Sequence, residues 1–400
     1  INLQYIHMLN NTESYIMPTY GKRKLEFVKG KGAYLFSKNN LKYLDFGSGI
    51  AVNSLGHCHP KLIKALNVQS KKLWHTSNLY FNKDQEKYAK SLCQNSFAEK
   101  VFFTNSGVES IECGLKVIRS FHKFYKNKEK KNIITFDGSF HGRSFSAMSA
   151  QKNHLYIKNF GPLLKGFIKI PFNELAILKK TVDSRTSAVF VETIQGEGGV
   201  RPISLGFLEE IKKICLKNNA LLFLDEVQCG FGRTGKMFCY EWSNIEPDIM
   251  AVAKGIGSGF PLGACLTTSK ASVGMTKGMH GSTFGGNPLA ISVGQEVINV
   301  LGKKNFLKNV NHISNYFWKK LKEIEKNYKE IIEIRGKGLF IGIKTKINNL
   351  QFCDLLAKNY LLTVPASDNI TRLVPPLIIT KKEVDLAISI LTKSLKEIDD

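Results

Sequence analysis

The sequence predicts an α/β protein: a large, mostly parallel β-sheet with helices on both faces, plus a smaller α+β domain. Three observations predict it. Between about residues 101 and 268, short apolar runs alternate with helical stretches, the pattern of parallel strands joined by helical crossovers. The polar residues that stand out there sit at the ends of those runs or in the loops after them, where open sheets of this kind collect ligands. From about residue 300 the texture changes to a lysine-rich amphipathic helix and a hairpin-like pair of runs. The expected division is an amino-terminal segment, 1–48, packing with the small domain; a large domain, 49–295; and a small carboxy-terminal domain, 296–400.

Four hundred residues, 43% of them hydrophobic, are enough for a sizeable core. The formal charge is +24. Its basic residues are spread along the chain, as a short run, Lys22-Arg23-Lys24, and as lysine-rich stretches such as Lys123 to Lys131 and Lys303 to Lys326, without a nucleic-acid motif. A solvated lysine surface is therefore expected, with no nucleic-acid partner. The eight cysteines form no C-x-x-C pair, which fits reduced thiols in a reducing compartment. No signal-peptide pattern is visible, and no apolar run reaches the roughly 18 residues that span a bilayer. The expectation is a soluble, cytoplasmic protein with no membrane partner.

Along the chain, residues 25–36 read as a β-hairpin turning at Lys29 to Gly32. Leu44 to His59 is a glycine-rich loop that lines something, and Pro60 opens a helix. His57, Cys58 and His59 lack a nearby carboxylate or second cysteine at ligand spacing, so no metal is expected. Val101 to Thr104 is a buried strand. A long helix follows, with Ser106 and Glu109 spaced as a capping box. Backbone N–H groups at such a positive helix end suit a phosphate, although an ordinary capped helix reads the same way. The strand Asn132 to Phe136 leads to Phe140, a flat apolar face, and Arg143, a carboxylate clamp. The strand Ser187 to Val191 ends in Glu192, and Glu197 lies among the glycines of the next loop. Ala220 to Leu224 ends in Asp225-Glu226, carboxylates placed for a ligand, a metal or a protonated nitrogen.

The run Ile249 to Ala253 ends on Lys254, with glycines at 255, 257, 259 and 263. A lysine at the mouth of a buried strand loses water, which lowers its pKa. A shift of about 3 units is roughly 4 kcal/mol of lost preference for the charged form, and it leaves an amine able to attack a carbonyl. A second glycine-rich loop, His280 to Pro288, precedes a helix. After 300 come an amphipathic helix, Phe306 to Tyr328, a pair of strands, a helix near Leu350 to Lys358, further strands carrying Arg372, and a last helix from Lys381. Two other readings stay open on these residues. Gly255, Gly257 and Gly259 suggest a dinucleotide loop, but the third glycine is misplaced for G-x-G-x-x-G. The lysines suggest a non-catalytic scaffold for nucleic acid.

Three stretches carry a more specific signal: L-F-L-D-E-V-Q-C-G-F-G-R-T-G from 222, A-K-G-I-G from 253, and H-G-S-T-F-G-G-N-P from 280. In that order and spacing they resemble the class III, fold type I pyridoxal-phosphate aminotransferases, the ornithine-aminotransferase-like group. Within it the sequence is most similar to the acetylornithine branch, through L-W-H-T-S-N-L-Y (73–80), V-E-T-I-Q-G-E-G-G-V-R-P and G-F-P-L-G-A.

The resemblance implies pyridoxal 5'-phosphate as cofactor and a role for each matching residue. Lys254 would condense with the cofactor's aldehyde and then move the reacting proton. Asp225 would pair with the ring nitrogen. Phe140 would stack on one ring face, Val227 would cover the other, and Gln228 would reach the ring hydroxyl. Ser106, Gly107 and Val108 would cradle the phosphate, and Thr283 would reach the phosphate held by a second copy of the chain, so a homodimer is implied. Ser282 and Tyr20 would touch or line the substrate path. The implied substrates are N-acetylornithine and 2-oxoglutarate, with N-succinyl-diaminopimelate as a second donor; ornithine, succinylornithine and 4-aminobutyrate are the alternative donors. Arg143 and Arg372 would hold their carboxylates, with Glu197 neutralising Arg372 when the amine donor is bound. Two departures from the pattern stand out. Gly49 lies where ornithine aminotransferases carry a tyrosine, which suits a bulkier acylated amine. Thr193 replaces a usual proline.

Overall fold

A computed structural model describes residues 15–21, 25–152 and 157–399. The basic run Lys22-Arg23-Lys24 and residues 1–14 lie outside the described residues. The first strands are β1 (Phe27–Lys31), β2 (Tyr34–Ser37) and β3 (Lys42–Asp45). The hairpin turns at Gly32 and Ala33, not over Lys29 to Gly32 as the sequence suggests. Gly32 has φ 59°, a left-handed conformation that glycine adopts without strain, and a reciprocal bridge to His57 fixes it there. Gly30 stays in the strand.

The central sheet is built from β4 (Lys100–Thr104), β5 (Asn132–Phe136), β6 (Phe167–Ile170), β7 (Thr186–Glu192), β10 (Leu221–Asp225), β11 (Ile249–Val252) and β12 (Gly263–Thr267). The labels β8 (Ile194–Gln195) and β9 (Arg201–Pro202) belong to a small two-stranded ladder after β7. The seven strands run in the order β4-β12-β11-β10-β7-β5-β6. All neighbours are parallel except β12, which is antiparallel to both β11 and β4. Every residue of β7, β10, β11 and β12 is buried, as expected of strands covered on both faces. The helix Gly107–Phe124 lies against this sheet through Gly114, where an added Cβ would overlap the Phe223 ring.

In register, Asp225 stands beside Glu192 on β7 and beside Ala251 on β11. Three chain segments therefore deliver their last residues to one edge of the sheet. Beyond residue 300, the helix Phe306–Asn327 leads into β13 (Ile331–Lys337) and β14 (Phe340–Thr345). The strands β15 (Leu361–Leu362), β16 (Val364–Ala366) and β17 (Ile370–Leu373) follow, and the helix Lys381–Asp399 closes the described chain. β13, β14, β17 and β16 form a second sheet, whereas β15 joins β3 in parallel and completes the amino-terminal sheet. Among the described residues no helix is long and apolar enough to cross a membrane.

Between β3 and the helix Pro60–Ser70, residues Ser48, Gly49, Ile50 and Ala51 all have positive φ, 47°, 63°, 64° and 62°. This is a single left-handed turn, costing roughly 1–2 kcal/mol for each non-glycine residue. Asp45 holds it from below: its Oδ1 accepts from the amides of Gly47 and Ser48, and its Oδ2 meets His57 Nε2 at 2.8 Å. His57 is thus engaged by a carboxylate, and the turn delivers Val52 to the cavity described next.

Candidate active site

A cavity of about 360 Å³ opens at the carboxyl edge of the central sheet. Its walls include Ser106, Gly107 and Val108 on one side, Phe140 and Val227, and at its floor Asp225, Glu192 and Lys254. The expected residues Gln228 and Glu197 line it as well.

Asp225 ends β10, and two contacts fix its carboxylate. Oδ1 accepts from Val227 N at 3.0 Å, and Oδ2 meets His141 Nδ1 at 2.8 Å. His141 is held in turn by stacking on Phe190, 3.8 Å between centroids, and Phe190 stacks on Phe223 at 4.3 Å. The buried Nε2 of His141 has no hydrogen-bond partner among the described residues. Sequence reading missed His141, although it directly follows Phe140. It also gave Glu192 no role beyond ending a strand. Glu192 Oε1 accepts from Phe140 N at 2.8 Å and Oε2 from Gly196 N at 3.3 Å. Burial, with Asp225 beside it, holds its carboxyl well above the usual carboxylate range, which favours the neutral form. Glu226, the other half of the Asp-Glu pair, points elsewhere: it accepts from the amides of Cys239 and Tyr240 and is structural.

Lys254 follows β11 with φ 50°, a left-handed conformation unusual for lysine. It is half-buried and lines the cavity. Burial, and then the positive charge of Arg372, lower its pKa to about 8 against the pull of Asp225, Glu192 and Glu197. Roughly a tenth of the amine is then unprotonated at pH 7, far more than for a lysine in water.

The opposite wall is the start of the helix Gly107–Phe124. Ser106 Oγ accepts from Glu109 N at 3.4 Å, half of the expected capping box. The other half differs: Glu109 Oε2 accepts from Asn105 N at 2.7 Å. The first-turn N–H groups of a helix have no intrahelical carbonyl and carry partial positive charge. Gly107 faces Val227 so closely that an added Cβ would sit 2.8 Å from Val227 Cγ1, so a side chain at 107 would displace Val227.

Arg372, on β17, is fully buried. Nη2 donates to Glu197 Oε2 at 3.1 Å and Nη1 to Gln228 Oε1 at 2.7 Å. Gln228 therefore engages the arginine in this structure. Arg143 is exposed, its guanidinium 5.6 Å from the centre of the Phe140 ring. Ser282 Oγ accepts from Gly285 N and from Asn105 Nδ2, bracing its own loop. Thr283 and Tyr20 are exposed and do not line the cavity of the single chain. Among the described residues no cluster of histidine, cysteine and carboxylate side chains could hold a metal ion.

The donor set fits a flat, phosphorylated aldehyde cofactor. The helix start would hold the phosphate, Phe140 and Val227 would offer apolar faces to the ring, the Asp225 carboxylate would meet a ring nitrogen, and the Lys254 amine would condense with the aldehyde. Comparison with known proteins agrees. The family described as Aminotransferase class-III matches residues 15–395. An acetylornithine aminotransferase of Agrobacterium fabrum is 46% identical over 369 residues, 92% of each chain. The crystal structure of N-acetylornithine aminotransferase from Stenotrophomonas maltophilia superposes with a TM-score of 0.84 at 33% identity, covering 96% of this chain and 98% of that one. The ornithine aminotransferase of Toxoplasma gondii gives 0.93 at 29% identity, covering 100% and 99%. A family with these members accounts for a lysine, an aspartate and a helix start meeting in one slot, and the chain belongs to it: a class-III aminotransferase that works with pyridoxal 5'-phosphate.

Proposed function

We propose that the chain moves the terminal amino group of N-acetylornithine to 2-oxoglutarate, giving N-acetylglutamate semialdehyde and glutamate in arginine biosynthesis. N-succinyl-diaminopimelate, from lysine biosynthesis, is the second donor. The observation that carries this reading is the Arg372–Glu197 pair at 3.1 Å beside Lys254's cavity. A monocarboxylate donor leaves Arg372 paired with Glu197. A dicarboxylate acceptor displaces Glu197 and takes the arginine. An unpaired buried arginine would cost several kcal/mol, so a movable acid keeps both half-reactions open.

The bound cofactor supplies an electron-withdrawing ring that accepts the charge left when the substrate loses a proton. The chain's own residues do the rest. Lys254 Nζ takes a proton from the donor's carbon and returns one to the acceptor. Asp225, held by His141, would pair with a positive ring nitrogen and favour its charged form. Phe140 and Val227 would flank the ring and keep water off its faces. Ser106, Gly107 and Val108 receive the phosphate, Arg143 takes a substrate carboxylate, and Ser282 and Tyr20 border the substrate's approach. Gln228, now on Arg372, is in reach of the slot.

The working unit in this reading is a homodimer in the cytoplasm. Trp74, Leu79, Phe81 and Phe284 are 65%, 88%, 81% and 58% exposed, an apolar surface a lone chain would leave in water. His75 packs against Phe284 at 5.2 Å, beside Thr283. Mixing Lys254→Ala with Thr283→Ala chains should regenerate active sites, because one of the two sites in the mixed dimer carries both native residues. No gain on mixing removes the shared-site assignment.

The donor test compares kcat/KM for N-acetylornithine, ornithine, succinylornithine, N-succinyl-diaminopimelate and 4-aminobutyrate. N-acetylornithine should lead. Ornithine as the best donor would overturn both the substrate and the reading of Gly49.

A further inference from the structure

The lysine-rich stretch 123–131 has no part in the reaction, yet the fold gathers it around a second concavity. This one measures about 960 Å³ and lies at the amino-terminal edge of β5, β6 and β7, the edge opposite the cofactor slot. Arg119 and Lys123 reach it from the end of the helix Gly107–Phe124; Lys126, Lys128, Lys130 and Lys131 come from the turn and loop that follow, and Lys165 from the approach to β6. No carboxylate lines it. Glu129, in the same loop, is exposed and outside the lining, and Asp183 nearby is engaged by Arg185 at 2.8 Å.

This differs from the rest of the basic surface. Elsewhere lysines are interspersed with acids, as in Lys152–Asp137, Lys213–Glu210 and Lys322–Glu325. Here like charges converge with no carboxylate in the lining, an arrangement favourable when an anion is shared among them. The floor is set: Lys130 Nζ donates to the carbonyls of Thr186 and Asn218.

Two buried polar atoms add a second, uncharged requirement. His122 is 2% exposed and lines the concavity. Its Nε2 donates to Ser187 O at 2.8 Å, and its Nδ1 has no partner among the described residues. With Nε2 carrying the proton, a neutral ring presents Nδ1 as an acceptor. Asn127 Nδ2, also lining it, is a buried donor without a partner there. The fitting ligand has several negative oxygens for the lysines, a hydroxyl donor for His122 and an acceptor for Asn127. The volume suits a small molecule rather than a polymer, which needs an extended track.

We propose that this concavity binds a nucleoside polyphosphate, its phosphates among the lysines and its sugar hydroxyls toward His122. The site would sit at one end of an 18-residue helix whose other end starts the cofactor slot, a span of about 27 Å.

The test titrates the cofactor-loaded enzyme with ATP, AMP, tripolyphosphate and a single-stranded oligonucleotide at physiological ionic strength, by calorimetry. ATP should bind saturably at one site per chain, more tightly than AMP for its charge and than tripolyphosphate for its hydroxyls. Combining Lys126→Ala, Lys128→Ala and Lys131→Ala should weaken ATP by about tenfold or more, while donor and acceptor kinetics without ATP stay unchanged. Combining Lys319→Ala, Lys320→Ala and Lys326→Ala, on the helix Phe306–Asn327, removes equal charge and should leave ATP affinity within about twofold. Equal losses in the two triple variants would reduce the effect to net charge and overturn the site. So would oligonucleotide binding that ATP does not displace, or tripolyphosphate matching ATP.

Discussion

The floor of the reaction cavity, at Asp225, Glu192 and Lys254, is set by strand register, whereas its mouth, at Glu197, Arg372 and Arg143, is set by side chains from loops and from a second sheet. On the floor both carboxyl groups are held more than once: Asp225 by Val227 and His141, Glu192 by two backbone amides. At the mouth, Arg372 is fully buried, but its acid partner Glu197 lies in a loop and keeps 29% of its side chain exposed. The contrast teaches a division of labour. Groups that must not move sit where neighbouring strands end together, and the group that must move sits on glycine-flanked backbone.

Breaking the floor should cost most. Lys254→Met should abolish turnover, by roughly ten-thousand-fold or more, with no borohydride-trappable adduct. The same change tests the lowered pKa through stability. A folded pKa of about 8 lies below the unfolded value, so the penalty on the folded state is fully present below pH 8. It fades as pH rises towards the unfolded pKa of about 10.4. Cofactor-free Lys254→Met should therefore be more stable than the parent by roughly 2–3 kcal/mol at pH 7, with the gap closing above pH 10 in denaturant titrations.

Asp225→Asn should lower kcat by about 100- to 10,000-fold, since a neutral amide no longer favours a charged ring nitrogen. His141→Asn should lose less and displace the pH–rate profile, the signature of a residue that acts through Asp225. At the mouth, Glu197→Ala should raise KM for N-acetylornithine by about tenfold while leaving that for 2-oxoglutarate equal or lower. Parallel changes in both would show that Glu197 does not exchange with the acceptor. The mildest change is Glu192→Gln. If the carboxyl is already neutral, kcat should stay within about threefold of the parent, whereas Glu192→Ala, which frees the amides of Phe140 and Gly196, should lose more than about tenfold.

The floor was largely legible in the sequence, because a carboxylate or an amine ending a wholly apolar run is visible without a structure. Asp225 and Lys254 were such cases, and Ser106 announced a helix start. His141 was not, because its partner lies 84 residues away and nothing local encodes which loop meets which strand. The left-handed turn at Ser48 to Ala51 was equally hidden, since only one of its four residues is glycine. The hairpin was placed early because Gly30 and Gly32 look alike until the bridge to His57 distinguishes them. Thr283 and Tyr20 are exposed on the single chain, and the roles implied for them came from the resemblance and not from any local pattern.

The pairing of β3 with β15 imposes an order on biosynthesis. The hairpin strands β1 to β3 are made well before their parallel neighbour β15, which begins at Leu361. At ordinary elongation rates the ribosome needs roughly 15 to 60 s to supply those intervening residues. Until then the outer edge of β3 is an unpaired strand, open to chaperones or to mispairing with another nascent chain.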